Sequence, residues 1–272
     1  MSVKNIVKVM NFHALLRVNE ARRRVAQAYD YEKELRYIIN IIVNNRIFKQ
    51  EKISLQMPVG KKELNIYLAS DLGFCASFNA DVLGELRKDD KDNDKIIIGK
   101  KIFTNSVKNV LLSMSKEEFQ ENSNPVEDIL IKKLLKKEYS RVNIIYIHYY
   151  NLSKQKLLKR TILPFDYFNE GIDDEQLKNI RAIDDFVVEG DLEFIIWNLI
   201  VIYLGIEMKI AEAWSYASEN VQRQLFTSES LKKIEEKEEE QAIMERKIRK
   251  NEEFKLIIEN NNKRERRIME ED

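Results

Sequence analysis

Side chains able to do chemistry are few in this sequence. Its 272 residues include two histidines, His13 and His148, and one cysteine, Cys75. Neither histidine has a Cys, His or carboxylate beside it at metal-ligand spacing, so each reads as a packing or surface residue. A lone thiol can form neither an internal disulfide nor a thiolate zinc cage, which fits a reducing compartment. Flanked by Phe74 and Phe78, Cys75 reads as a small buried hydrophobe and not as a nucleophile. One segment, Ser70–Asn79 (SDLGFCASFN), has the strand–loop–helix outline of a phosphate site. It carries neither GxGxxG nor GxxxxGK[ST], so backbone cradling of phosphate has no support. The reading is structural. Gly73 is expected to supply a turn geometry that other residues resist, with Phe74, Cys75 and Phe78 seating the turn on a sheet and Asn79 capping the next helix. On that view Gly73→Val impairs folding. No catalytic residues, no metal and no cofactor are expected.

The elements that would position this segment follow from the distribution of helix breakers. All three prolines and all seven glycines lie between Pro58 and Gly205. Both ends are therefore free to be long helices, about 85 and 100 Å if fully helical. Apolar residues recur at helical spacing through Val3, Ile6, Met10, Ala14, Ala21, Ala28, Leu35, Ile38 and Ile42. Residues 1–50 hold ten basic and four acidic side chains, with Arg22, Arg23 and Arg24 consecutive. Such a run is either a solvated face or a contact for an acidic partner. The C-terminal stretch opens with Asp191 as a candidate N-cap and continues apolar nearly all round through Trp214. From Leu231 to Asp272, 25 of 42 residues are charged, too polar for a strong hydrophobic coiled coil on its own.

Between the ends, strand-like runs fall at Leu64–Ala69, Lys95–Gly99, Asn143–His148 and Lys156–Leu163, with helical candidates at Ala80–Arg87 and Pro125–Lys137. Asp89–Asp94 reads as a charged surface loop. Alternation of strand and helix predicts a small, mostly parallel α/β sheet. The expected division is a helix over 1–57, an α/β domain over 58–190 and a helix with a charged tail over 191–272. With 46 basic and 46 acidic residues the net charge is zero, which removes bulk basicity as an argument for nucleic acid or an anionic membrane. No uninterrupted apolar run reaches the roughly 20 residues of a membrane span, and no signal-peptide core is visible at the start, so a cytoplasmic chain is expected.

Four segments in order resemble the gamma subunit family of rotary F-type ATPases, the central rotor shaft. Ser2-Val3-Lys4-Asn5 with Lys8 and then Arg22-Arg23 is similar to the family's opening SVKN…K…[KR]R. Ser70 to Asn79 resembles SDRGLCGGFN, with Leu72 at the arginine and Ala76-Ser77 at the glycine pair. Tyr150-Asn151, Gln155 and Ile162-Leu163-Pro164 resemble YN…Q…LLP. Ala217-Ser218-Glu219-Asn220 with Arg223 resembles ASE-x-x-x-R, while Arg249-Lys250 stand where the family has Arg-Gln.

The resemblance implies a Rossmann-like sheet domain flanked by two terminal helices that form an antiparallel coiled coil. It implies a non-catalytic shaft within a ring of alpha-like and beta-like nucleotide-binding subunits. An epsilon-like subunit, and a membrane ring or another force-transmitting assembly, would be further partners. Through it, Lys4, Lys8, Arg22, Arg23, Arg223, Arg249 and Lys250 are expected to face acidic loops of the ring. Ser70, Asp71, Gly73, Cys75, Phe78, Asn79, Gln155, Pro164, Ser218 and Glu219 are its structural motif positions. The family's complex lies at the inner face of the cell membrane. Two other readings fit the same sequence: a rotor whose output is mechanical motion instead of proton movement, as in a cell-surface or gliding assembly, and a coiled-coil adaptor with an α/β head.

Overall fold

The computed structural model describes residues 2–44, 60–89, 91–102, 107–135, 138–164 and 189–271. Ten elements follow in order: α1 (Val3–Asn44), β1 (Lys62–Leu68), α2 (Phe78–Lys88), β2 (Asp94–Ile98), β3 (Val110–Met114), α3 (Lys116–Glu121), α4 (Asn124–Leu135), β4 (Tyr139–Asn151), β5 (Lys154–Leu163) and α5 (Leu192–Glu271). The long terminal helices are present, 42 and 80 residues in length. The part of the N-terminal helix expected over 45–57 lies outside the described residues, as does the stretch 165–188. Each expected strand is found. Two elements were not expected, β3 and α3. The edge strand β3 alternates half-buried and exposed residues. Helix α3 is announced by a capping box: Ser115 Oγ accepts from the Glu118 N–H at 3.0 Å, and Glu118 Oε2 accepts from the Ser115 N–H at 2.6 Å.

The sheet order is β3-β2-β1-β4-β5. All pairs are parallel except the β4–β5 hairpin. At the end of β2, Gly99 adopts φ +128°, and a Cβ there would meet the Ala69 carbonyl at 2.6 Å, so only glycine lets the chain pass so close to β1.

The chain divides into two compact units, Phe12–Gln224 and a smaller one made of Met1–Asn11 with Leu225–Asp272. In the larger unit, one sheet face (Leu64, Ile66, Leu68, Ile96, Ile98, Val142, Ile144) is buried under α1 through Leu35 and Ile39 and α5 through Ile196, Ile200 and Leu204. Phe119 of α3 and Val126 and Leu130 of α4 join the same core. The opposite face (Tyr67, Ile97, Ile145) packs under Phe78, Val82 and Leu86 of α2. Along α1 the buried residues Ala14, Val18, Ala21 and Val25 recur every three to four positions, and Val18 and Ala21 meet Ala217 and Val221 of α5. Alanines on both helices allow close approach, and the pairing is antiparallel. A stretch of α5 is apolar enough by composition to cross a bilayer, yet more than half of it is buried within the protein. It is a core helix, and its first turn is capped by Asp191, whose Oδ1 accepts from the Phe194 N–H at 3.2 Å.

In the smaller unit the helix ends are joined by polar contacts. Lys4 Nζ lies 2.6 Å from Glu238 and 3.4 Å from Glu235, and Asn11 Nδ2 donates to Thr227 Oγ1 at 3.0 Å and Ser228 Oγ at 2.8 Å. These pairings are again antiparallel, and Val3, Ile6, Ile243, Met244 and Ile248 stay exposed. The apolar seam is as thin here as the charge density predicts.

Candidate functional site

Segment Ser70–Asn79 leaves β1 at its carboxyl end and enters α2. Asn79 braces it. The Asn79 Oδ1 accepts from the Ser70 N–H at 3.0 Å, and its Nδ2 donates to Ser70 Oγ at 2.7 Å and reaches Cys75 Sγ at 3.4 Å. Asn79 thus spans the loop from within α2, which corrects the expectation that it caps the helix. The N-cap position is Ser77, which makes no side-chain cap bond. Cys75 and Phe78 are buried as expected, and Ser70 is buried with them, whereas Phe74 is 60% exposed and does not seat the turn. The role given to Gly73 is corrected too. Its φ lies outside the left-handed region and a Cβ would meet open space. The left-handed residues are Phe74 (φ 60°) and Ala76 (φ 46°). Ala76 occupies the first position of the glycine pair in the pattern the segment resembles, where a residue without Cβ would adopt this φ without strain.

Asp71 ties three loops together. One carboxylate oxygen accepts from the Lys100 N–H at 2.9 Å and the Lys116 N–H at 3.1 Å; the other lies 3.0 Å from Lys116 N and 3.3 Å from Glu117 N. It thus satisfies the opening N–H groups of α3 from a distant part of the chain.

Above this junction α5 contributes Glu219 and Arg223. Lys116 Nζ lies 2.8 Å from Glu219, and the Arg223 guanidinium donates to Glu219 at 2.6 Å and to Asn220 Oδ1 at 2.8 Å. All three charged side chains are 4% exposed. Lys116 also lies 5.4 Å from the Phe78 ring and 5.8 Å from the Tyr216 ring. One turn pair earlier, Glu212 accepts from Gln120 at 2.8 Å and pairs with Arg24 at 3.3 Å. Burial holds its carboxyl above the usual range, against the pull of Lys116 and Arg24. A cavity of about 290 Å³ opens here, lined by Arg17, Asp71, Lys100, Lys116, Glu219 and Arg223 among others. Of its carboxylates, Asp71 is occupied by backbone N–H groups and Glu219 by Lys116 and Arg223. No nucleophile stands against a base, so the geometry joins elements and offers no reaction.

A second buried cluster ties α5 to β5 and α1. Glu207 Oε1 accepts from Arg160 at 2.9 Å and from the Tyr203 hydroxyl at 2.7 Å, while Arg36 donates to Glu32 at 2.8 Å. Burial raises the Glu207 carboxyl despite the Arg160 charge, and it raises Tyr203 in the same way. Glu207 and Glu212 are functional positions outside the motifs read from the sequence; their signal there is a carboxylate inside an apolar run, which must find a buried partner.

The other sequence-derived positions are spread along the chain. Gln155 Nε2 donates to the Asn151 and Leu152 carbonyls and closes the β4–β5 hairpin. Pro164 is exposed after a cis Leu163–Pro164 bond. Ser218 is fully buried. Lys8, Arg22, Arg23, Arg249 and Lys250 are exposed, and Arg249 lies 3.9 Å from Glu245. Lys4 is engaged by Glu235 and Glu238. Arg223 is the exception, turned inward by Glu219 and so withdrawn from any surface. His148 packs between Tyr150 and Trp214, and its pKa is lowered by burial and then by Arg160. Among the described residues no group of His, Cys, Asp and Glu could hold a metal ion. Asp89 and Asp94 are not surface residues of a loop: Asp94 accepts from the buried Tyr139 hydroxyl at 2.7 Å, and Asp89 accepts from Asn65 and Tyr67, both at 2.9 Å.

A mostly parallel sheet clasped on one face by two antiparallel helices, with the buried carboxylates of α5 spent on pairing it to α1, α3 and β5, defines a structural shaft-bearing subunit. The family model described as ATP synthase matches residues 1–253, and the chain belongs to that family, among its gamma subunits. The ATP synthase gamma chain of Bacteroides fragilis is 25% identical over 239 residues, covering 82% of this chain and 81% of that one. That of a Wolbachia from Brugia malayi is 28% identical over 236 residues, covering 82% and 80%. The gamma chain of Mycoplasma mobile is 26% identical over 196 residues, 67% of each chain. The fold is that of a central-stalk chain from the Tetrahymena thermophila mitochondrial ATP synthase (TM-score 0.57, 20% identity, 83% of this chain and 99% of that one). A chain of the Euglena gracilis OSCP/F1/c-ring structure matches with TM-score 0.52 at 13% identity, over 89% and 91%.

Proposed function

We infer that this chain is the central rotor stalk subunit of an F-type ATP synthase. The antiparallel pairing of α1 with α5, in a chain whose family match runs over residues 1–253, carries this reading. ATP chemistry belongs to the surrounding ring, and this chain supplies an asymmetric axle. Each nucleotide state of a ring subunit has a different affinity for one axle face, so binding and hydrolysis favour turning. The partners are alpha-like and beta-like subunits around the helices, with an epsilon-like subunit and a membrane ring at the sheet domain. The complex is membrane-associated, and the chain is placed on its cytoplasmic face. Exposed Lys8, Arg22, Arg23, Arg249 and Lys250, with Lys4, are the candidate ring contacts; Arg223 is instead a fastener within the sheet domain. An output other than proton movement is the less favoured reading, since the relatives are ATP synthase chains.

Native mass spectrometry of the complex purified from its own cell tests this. Three copies each of two nucleotide-binding chains with one of this chain is the expected stoichiometry. A stable monomer or simple dimer free of ATPase partners would overturn it in favour of the adaptor.

A further inference from the structure

On the α2 side of the sheet, away from both helix-joining clusters, lies a cavity of about 490 Å³. Its floor is apolar, made by Leu83 and Leu86 of α2 and by Ile102 and Val107 from the segments after β2 and before β3. Around it stand Arg87, Lys91, Lys101 and Lys108, all exposed. Two further charged residues line it, Lys95 and Asp89, and these answer each other. Lys95 is 2% exposed. Its Nζ donates to the Asn93 carbonyl at 2.8 Å and lies 3.7 Å from Asp89. Burial alone would raise the Asp89 carboxyl, but hydrogen bonds from Asn93, Asn65 and Tyr67 and the Lys95 charge hold it below the usual carboxylate range. Asp89 therefore stays ionised and saturated, and it has no oxygen left to neutralise the rim.

Among the described lining residues, that leaves four cations facing one opening. Among the described residues Arg87, Lys91, Lys101 and Lys108 make no ion pair, in a chain whose net charge is zero. Neighbouring Lys88, by contrast, is paired with Glu85 at 2.7 Å. A cavity of this volume suits one small molecule. The apolar floor calls for an apolar body, and the rim calls for an anion. A monocarboxylate has two oxygens. A phosphate monoester carries close to two negative charges and three terminal oxygens, a better match for several separated donors.

We propose that this cavity binds a small organic phosphate, its apolar body on Leu83, Leu86, Ile102 and Val107 and its phosphate among Arg87, Lys91, Lys101 and Lys108. The Lys95–Asp89 pair positions the rim by tying the end of α2 to the start of β2. A soluble metabolite or the headgroup of an anionic lipid would present the same chemistry. The site is independent of the rotor reading, because none of these residues lies on α1 or α5.

Fluorescence of 8-anilinonaphthalene-1-sulfonate with the full chain tests it, since that probe is itself an anion on an apolar body. Phenyl phosphate is expected to displace the dye, with inorganic phosphate and benzyl alcohol each needing at least about tenfold higher concentration. The K101E/K108E variant is expected to bind phenyl phosphate about tenfold more weakly, with unchanged circular dichroism. If the charge reversals impair folding, Lys101→Gln with Lys108→Gln is expected to give a smaller loss in the same direction. Flotation with phosphatidic acid vesicles separates the sources: binding lost in K101E/K108E, without displacement by phenyl phosphate, marks a lipid headgroup. Equal displacement by inorganic phosphate, or unchanged affinity for phenyl phosphate and vesicles in both variants, would overturn the proposal.

Discussion

Arg223 of α5 donates from Nε to the carbonyl oxygen of Gly73, 3.2 Å away and 150 residues earlier in the chain. The same guanidinium holds Glu219, which in turn holds Lys116. Two segments that resemble family signatures, SDLG and ASE-x-x-x-R, are thus the two halves of one joint. The joint fastens the last helix to the loops at the carboxyl ends of the strands.

Removing the guanidinium should therefore cost stability. Arg223→Ala leaves the Gly73 carbonyl unpartnered and Glu219 buried with a single cation. A loss of about 3 kcal/mol is expected from urea unfolding of the isolated chain. A loss below about 0.5 kcal/mol, the level of an ordinary surface change, would show the joint to be dispensable.

Asp71 should behave as a cap. Asp71→Ala is expected to cost about 1–2 kcal/mol, because the N–H groups of Lys116 and Glu117 lose their acceptor. Asp71→Asn keeps one acceptor oxygen and should cost less. Neither change, nor Ser70→Ala, should lower the ATPase turnover of the assembled complex; abolished turnover in a well-assembled complex would make the loop a working site.

In the same loop the backbone angles move the demand for a residue without Cβ from Gly73 to Ala76. Gly73→Ala should change the melting temperature little, since neither its φ nor the space at its Cβ requires glycine. Ala76→Gly should stabilise by about 0.5 kcal/mol, relief of the left-handed strain being partly offset by added freedom of the unfolded chain. Thermal unfolding of both variants checks the order.

Asp89 gives a pH signature. Its folded pKa lies below its unfolded value, so its contribution is present above about pH 4 and is lost as pH falls through the folded pKa. Asp89→Asn would oppose its amide to that of Asn65. It should be less stable by about 2 kcal/mol at neutral pH, with the gap closing on acidification. A gap that is constant from pH 7 to about 3 would contradict the assignment.

For the exposed cations of α5, reversing Arg249 and Lys250 together should lower ATPase turnover while the complex still assembles. Exposed pairs contribute only about 0–1 kcal/mol, but a closed interface raises their effect. Unchanged turnover in the double variant would remove these positions from coupling.

The long helices and the alternating strand order were legible in the sequence because they depend on local rules. Absence of Pro and Gly over both ends, the recurrence of Ala14, Val18, Ala21 and Val25 every three to four residues, and the alternation of apolar strands with helical runs are properties of neighbours in the chain. Even the missed helix α3 had a local sign, the Ser115-to-Glu118 capping box. What the tertiary structure alone decided is where polar side chains spend their hydrogen bonds. Asn79 could cap α2 or brace the loop, and it braces because Ser70 and Cys75 are folded against it. Arg223 could face a partner or its own chain, and it turns inward because Glu219, Lys116 and the Gly73 carbonyl meet there. A buried polar group must be satisfied, but which partner satisfies it depends on residues tens to hundreds of positions away. Spacing along the chain carries no information about that distance.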